Sequence, residues 1–189
     1  LAATITGVIL IWVIDVRLVG AVGRAVEPIE EAAIEIEDRL TERSRQLAEL
    51  GSWARSETPT SPAADELAAR ADGIAGQLDQ IGGALESVVP AMEVVDRILP
   101  GRFDAAAIEA LTSRADEARD LAAGLREGAE EAASTTRNET FERIADLADL
   151  GIDALDEAGD VVAAATAVVE RARSSTVRII HIVAVVLSI

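Results

Sequence analysis

The chain has 189 residues, half of them apolar but only 2% aromatic, and a formal charge of −17. That is one domain's length with enough apolar surface for a sizeable core; an apolar half drawn from Ala, Leu, Ile and Val, with no Tyr, makes all-α the expected fold class. The acidic excess without a basic patch excludes nucleic acid as a partner, and the lack of Cys excludes disulfides, thiolate nucleophiles and Fe–S clusters while leaving the redox compartment open.

Residues 1–22, LAATITGVILIWVIDVRLVGAV, carry only Asp15 and Arg17 as charges. About 20 such residues cross a bilayer, so 1–22 is predicted to be a first transmembrane helix. No basic start or small-residue cleavage site marks it as a signal peptide. The closing run 177–189, VRIIHIVAVVLSI, is too short to span alone and is read as the start of a second transmembrane helix. Runs of this length also occur as core helices of soluble proteins; their position at both ends of a middle of different composition favours the membrane.

Between them, residues 23–176 are predicted to form an extramembrane four-helix bundle with helices at about 25–55, 62–99, 104–133 and 137–176. Each has apolar residues at alternating steps of three and four, the spacing of helices packed at a shallow angle. The first seam runs Val22, Val26, Ile29, Ala33, Ile36, Leu40, Arg43, Leu47, Leu50, with Arg43 its polar interruption. The second is Leu67, Ala71, Ile74, Leu78, Ile81, Leu85, Val88, Met92, Val95, Leu99. The third, Ile108, Leu111, Ala115, Ala118, Ala122, Leu125, Ala129, Ala132, is rich in small residues that admit a close neighbour. The fourth is Ala145, Ala148, Ile152, Leu155, Gly159, Val162, Thr166, Val169.

Three turns are expected. In SETPTSP, Ser61 is placed as an N-cap with Pro62 at the first helical position. In LPGRFD, Asp104 is expected to cap while Phe103 and Ile108 form a hydrophobic staple. In STTRN, Thr136 and Glu139 have the spacing of a capping box. Without that third turn, a single helix over 104–176 would end roughly 110 Å from the bilayer at about 1.5 Å per residue. With it, an antiparallel up-down bundle, coiled-coil-like and continuous with both transmembrane helices, returns both apolar ends to one membrane face. Pro28 and Pro90 are expected to kink their helices.

Candidate chemistry is sparse. His181 is the single histidine and lies in the terminal run, so no metal cluster, Ser–His pair or di-iron motif assembles in the bundle. No catalytic, cofactor-binding or metal-binding residue is assigned, and the chain is read as a non-enzyme without cofactors. Glu30–Glu31 and Glu130–Glu131 fall off the seams and read as solvated faces. The one polar constellation is at the membrane boundary, where Asp15 and Arg178 are a candidate interhelical ion pair, with snorkelling of Arg17 and Arg178 to the interface as the alternative. Arg17, Arg24, Arg171, Arg173 and Arg178 flank the runs on the bundle side, which leans the bundle to the cytoplasm.

The span, four-helix middle and span resemble, in topology only, the sensor bundles of bacterial chemoreceptors and sensor kinases, and equally the uncharacterised heptad-rich two-span proteins of bacteria. The first resemblance implies ligand sensing or signal relay. The second implies a structural or accessory subunit of a cell-membrane assembly, with the lipid bilayer and other membrane proteins, or further copies of itself, as partners. The accessory role is the preferred reading, since no ligand motif accompanies the seams.

Overall fold

A computed structural model describes the backbone of residues 2–98, 101, 103, 105–135 and 137–187, and the side chains of 27, 29–97, 101, 103, 105–135, 137–171 and 174. Four helices, α1 (Ala2–Ser56), α2 (Ser61–Ile98), α3 (Ala105–Ser134) and α4 (Asn138–Leu187), account for the described chain, which has no strand. The fold is all-α.

The helices form a ring in which α2 packs on α3, α1 on α4, α1 on α2 and α3 on α4. Neighbours run antiparallel, as paired contacts show. Along α1, a Cβ on Gly51 would meet Ala148, and one on Gly151 would meet Leu47. Along α2 and α3, Glu86 pairs with Arg119 and Asp79 with Arg126.

The apolar seams are the core. Ile29, Ile36, Leu40, Leu47 and Leu50 of α1, every seam residue of α2 from Leu67 to Val95, and Leu111 to Ala132 of α3 are buried. Arg43 is half-buried and donates Nη1 to Gln46 Oε1 at 2.8 Å beside the core. In α4 the buried stripe is Ala148, Gly151, Leu155, Ala158, Val162, Ala165 and Val169, whereas Ile152, Gly159 and Thr166 are half-buried. The predicted fourth seam thus mixes core residues with the edge of the buried face.

The first turn is capped one residue earlier than the sequence expectation. The first bond of α2 runs from Ala64 N–H to the Thr60 carbonyl at 2.8 Å, so Thr60 is the N-cap and Ser61 the first helical residue. After α2, the Asp96 carboxylate accepts from Gly101 N–H at 3.0 Å and Phe103 N–H at 3.3 Å. Gly101 takes φ +76° there, a conformation that glycine adopts without steric penalty. Phe103 is buried and Ile108 half-buried as the staple requires, while Asp104, the expected cap, and Thr136 of the expected capping box lie outside the described residues. α4 starts instead from the Arg137 carbonyl, which accepts from Thr140 N–H at 3.2 Å and Phe141 N–H at 3.5 Å. Pro90 lies inside α2 without ending it; the side chain of Pro28 is outside the described residues.

At about 1.5 Å per residue, α1 and α4 are roughly 80 and 75 Å long, against roughly 57 and 45 Å for α2 and α3. The excess of both long helices lies at the end where the chain begins and ends.

Candidate functional site

Arginines one residue from a buried position cross between helices, as charges flanking a heptad seam do. Arg119 reaches Glu86 and Arg126 reaches Asp79 between α3 and α2. Arg114 reaches Glu157, and Arg143 reaches Glu127 at 2.9 Å and Glu131 at 3.2 Å, between α3 and α4. Between α1 and α4 at the distal end, Arg55 binds Asp149 and donates to the Ala145 carbonyl at 3.3 Å. These pairs are largely exposed, so each contributes about 0–1 kcal/mol and their effect is chiefly on register.

The hydrogen bond that Arg55 donates to Asp149 holds its guanidinium above its ordinary pKa, and the bond to Glu86 does the same for Arg119. On α1, the Arg45 hydrogen bond, with a second from Gln46, holds the Glu42 carboxyl below its usual value.

The distal end also brings two aromatics together. Trp53 stacks on the buried Phe141 with ring centroids 6.4 Å apart and planes 23° from parallel, and the Arg70 guanidinium lies 4.8 Å from the Trp53 ring centroid. Beside them an open cleft of about 560 Å³ separates Thr58 and Pro59 from Asn138, Glu142 and Asp146. A second cleft, about 360 Å³, lies between α1 and α2 along Gln46, Gly73 and Gln77. Two buried side-chain oxygens, Thr140 Oγ1 and Gln77 Oε1, have no hydrogen-bond partner among the described residues.

A longer groove, about 820 Å³, runs between α1 and α4 on the side of the chain ends. Leu40, Leu155 and Val162 form its floor, and Gly159, Ala163 and Ala167 keep it shallow and open. Its rim carries Glu37 from α1 and Asp156, Asp160 and Glu170 from α4. None of these four carboxylates has a hydrogen bond or ion pair among the described residues.

The residues singled out in the sequence are not brought together within the described part. The side chains of Asp15 and Arg178, the candidate ion pair, and of His181 lie outside the described residues. Among the described residues no cluster of three or more His, Cys, Asp or Glu is arranged to hold a metal ion, and no helix is long and apolar enough to cross a membrane; the side chains of both terminal apolar runs fall outside that description. Sequence reading missed the crossing arginines, although Arg114, Arg119 and Arg126 each adjoin a seam residue and so carried the signal. It also missed the aromatic contact, because nothing in the spacing of Trp53 and Phe141 along the chain ties them together. No protein-family model, curated protein or solved structure matches the chain.

Proposed function

We propose that the protein is a membrane-anchored helical bundle that serves as a structural or accessory subunit of a membrane assembly and performs no chemistry of its own. The observation that carries this reading is the excess length of α1 and α4 at one end of the bundle, because those extensions are the two apolar runs of the sequence. The two short helices, α2 and α3, are not long enough to run beside the whole of α1 and α4. An apolar helix that extends past its bundle is costly in water; in a bilayer it meets lipid, and backbone polar groups are satisfied within each helix. Small and polar residues on the first run, Gly7, Asp15 and Arg17, favour contacts with other spans over isolation. The Asp15–Arg178 pair belongs to this reading as an interhelical link at the boundary. The arginines flanking both runs orient the bundle toward the cytoplasm.

Two measurements on the full chain test the reading. After alkaline extraction the protein should remain in the membrane pellet, while a chain reduced to residues 23–176 should be released; release of both removes the anchor. The lack of native Cys makes a single Ser44→Cys substitution a clean topology probe. It should react with a membrane-impermeant maleimide only after the cells are opened, and labelling of intact cells would reverse the orientation.

A further inference from the structure

Acidic residues outnumber arginines two to one in this chain, 34 against 17, so surplus carboxylate is expected everywhere. Its distribution is uneven. The α2–α3 and α3–α4 seams and the distal part of α1–α4 are each crossed by an arginine, and Arg70 covers Trp53 where α1 meets α2. Among the described residues, none crosses the proximal α1–α4 groove. Glu37 faces Asp156, Asp160 and Glu170 over an apolar floor. Arg171, beside the rim residue Glu170, is turned back on its own helix, donating Nε to the Ala167 carbonyl at 2.9 Å. Like charges on facing walls repel, and a groove between two packed helices would be better closed by an arginine, as the other seams are.

The surface beside the groove has a second anomaly. Ile34, 65% exposed, is the most exposed large apolar residue of the described chain, and at helical spacing it continues the stripe of Glu37, Thr41 and Ser44 that walls the groove. Apolar floor, apolar extension and a uniformly negative rim together select the occupant. A small polyamine would meet the carboxylates and leave the floor in water. A second copy of this chain, also at −17, would add to the repulsion. We infer that the groove receives an amphipathic helix of a partner protein, with Leu-like residues on one face and Lys or Arg along both edges. It docks by the helix-in-groove mode, with complementary charge setting partner choice and encounter rate. The α4 wall from Leu155 to Glu170 is about 22 Å long at 1.5 Å per residue, which matches a helix of about 15 residues.

This inference rests on the membrane-assembly reading for the source of the helix: cation-rich segments are common just cytoplasmic of membrane spans, and the groove lies on the membrane-proximal half of the bundle in that reading.

The test uses the full chain in nanodiscs of zwitterionic lipid, with empty discs as the blank. The probe is a fluorescent helix of about 15 residues built from Leu and Lys, and its counterpart has Glu for Lys. The Lys peptide should bind and the Glu peptide should not. Neutralising the rim with Glu37→Gln, Asp156→Asn, Asp160→Asn and Glu170→Gln together should weaken binding about tenfold, as several exposed charge pairs do jointly. Removing the same charge elsewhere, with Asp72→Asn, Glu93→Gln, Glu130→Gln and Glu139→Gln, should change it less than about twofold. Gly159→Leu, which fills the floor without altering charge, should also weaken it. Equal losses from the two charge sets, or no binding of the Lys peptide, would overturn the inference. In native membranes, a crosslinker at Ser44→Cys should reach a Lys- or Arg-bearing helix of another protein; reaching a second copy overturns the proposal. Neighbours recovered only through the terminal runs would sink the groove and leave the assembly reading standing, whereas no neighbour from any position would sink both.

Discussion

Two adjacent glycines of α2 should respond oppositely to the same substitution. Gly83 is exposed and a Cβ there would meet nothing within 4 Å, so Gly83→Ala gains the helix propensity that glycine lacks, about 1 kcal/mol. Gly82 is buried against α3, where a Cβ would stand 2.9 Å from the Ala115 carbonyl oxygen and 3.2 Å from Arg119 Cγ. The first of these is backbone and cannot swing aside. Gly82→Ala therefore gains the same propensity but loses about 1–3 kcal/mol to overpacking, partly by pushing Arg119 off Glu86, for a net loss of up to about 2 kcal/mol. For a chain of this size 1 kcal/mol moves the melting midpoint by about 2–4 °C. Urea unfolding followed by far-ultraviolet circular dichroism, on the full chain in mild detergent and with unchanged slope against urea, would separate the two variants. Shifts of the same sign would mean that α2 and α3 do not approach closely at Gly82.

Leu78 is fully buried, and Leu78→Ala should cost about 2–5 kcal/mol in the same assay; Glu131→Ala removes only an exposed pair with Arg143 and should cost less than about 1 kcal/mol. Thr140→Val removes a buried hydroxyl whose oxygen has no partner among the described residues and keeps the shape, so it should stabilise by about 1 kcal/mol; destabilisation would reveal a hydrogen bond at that site. Glu42 is held below the ordinary carboxylate range by Arg45, so its contribution is complete above the unfolded value of about 4.3 and is lost as pH falls through the lower folded value. Carbon-detected magnetic resonance should show that low midpoint moving back up in Arg45→Ala, and a midpoint indifferent to Arg45 would refute the coupling.

How far the fold was legible varied with how local its cause is. The α2 seam was readable residue by residue because steps of three and four among Leu, Ile and Val leave one face to bury, and Leu67, Leu78, Leu85 and Met92 are fully buried. α4 was less so. With Ala, Val and Thr on several faces, Ile152, Gly159 and Thr166 had the right spacing, but the axis of the neighbouring helix decided that Gly151, Ala158 and Ala165 lie deeper. The α2–α3 turn was placed by its Pro and Gly, yet the side chain that organises it, Asp96, sits inside the helix, where an acid reads as solvated surface. The candidate site was the least legible part. A groove depends on what two helices fail to fill, and no single stretch of chain records that.

The reason one seam closes and another opens can be followed in the side chains between the helices. α3 offers Ala115, Ala118, Ala122, Ala129 and Ala132 to its neighbours, and at Gly82 the α2 backbone comes close enough for a methyl group to collide with a carbonyl. α1 and α4 meet nearly as closely at the distal end, where a Cβ on Gly51 would lie 3.4 Å from Ala148 Cβ. Toward the chain ends their contact passes to Leu40, Leu155 and Val162. Larger side chains hold axes farther apart, and at Gly159 a Cβ would meet only the tip of Leu40, at 3.8 Å. An arginine from either wall could have roofed that wider gap, as Arg55 bridges the narrow one; the positions at hand are Glu37, Asp156, Asp160 and Glu170. The same large residues that carry the core from the bundle toward the apolar ends thus hold open an acidic slot just before those ends begin.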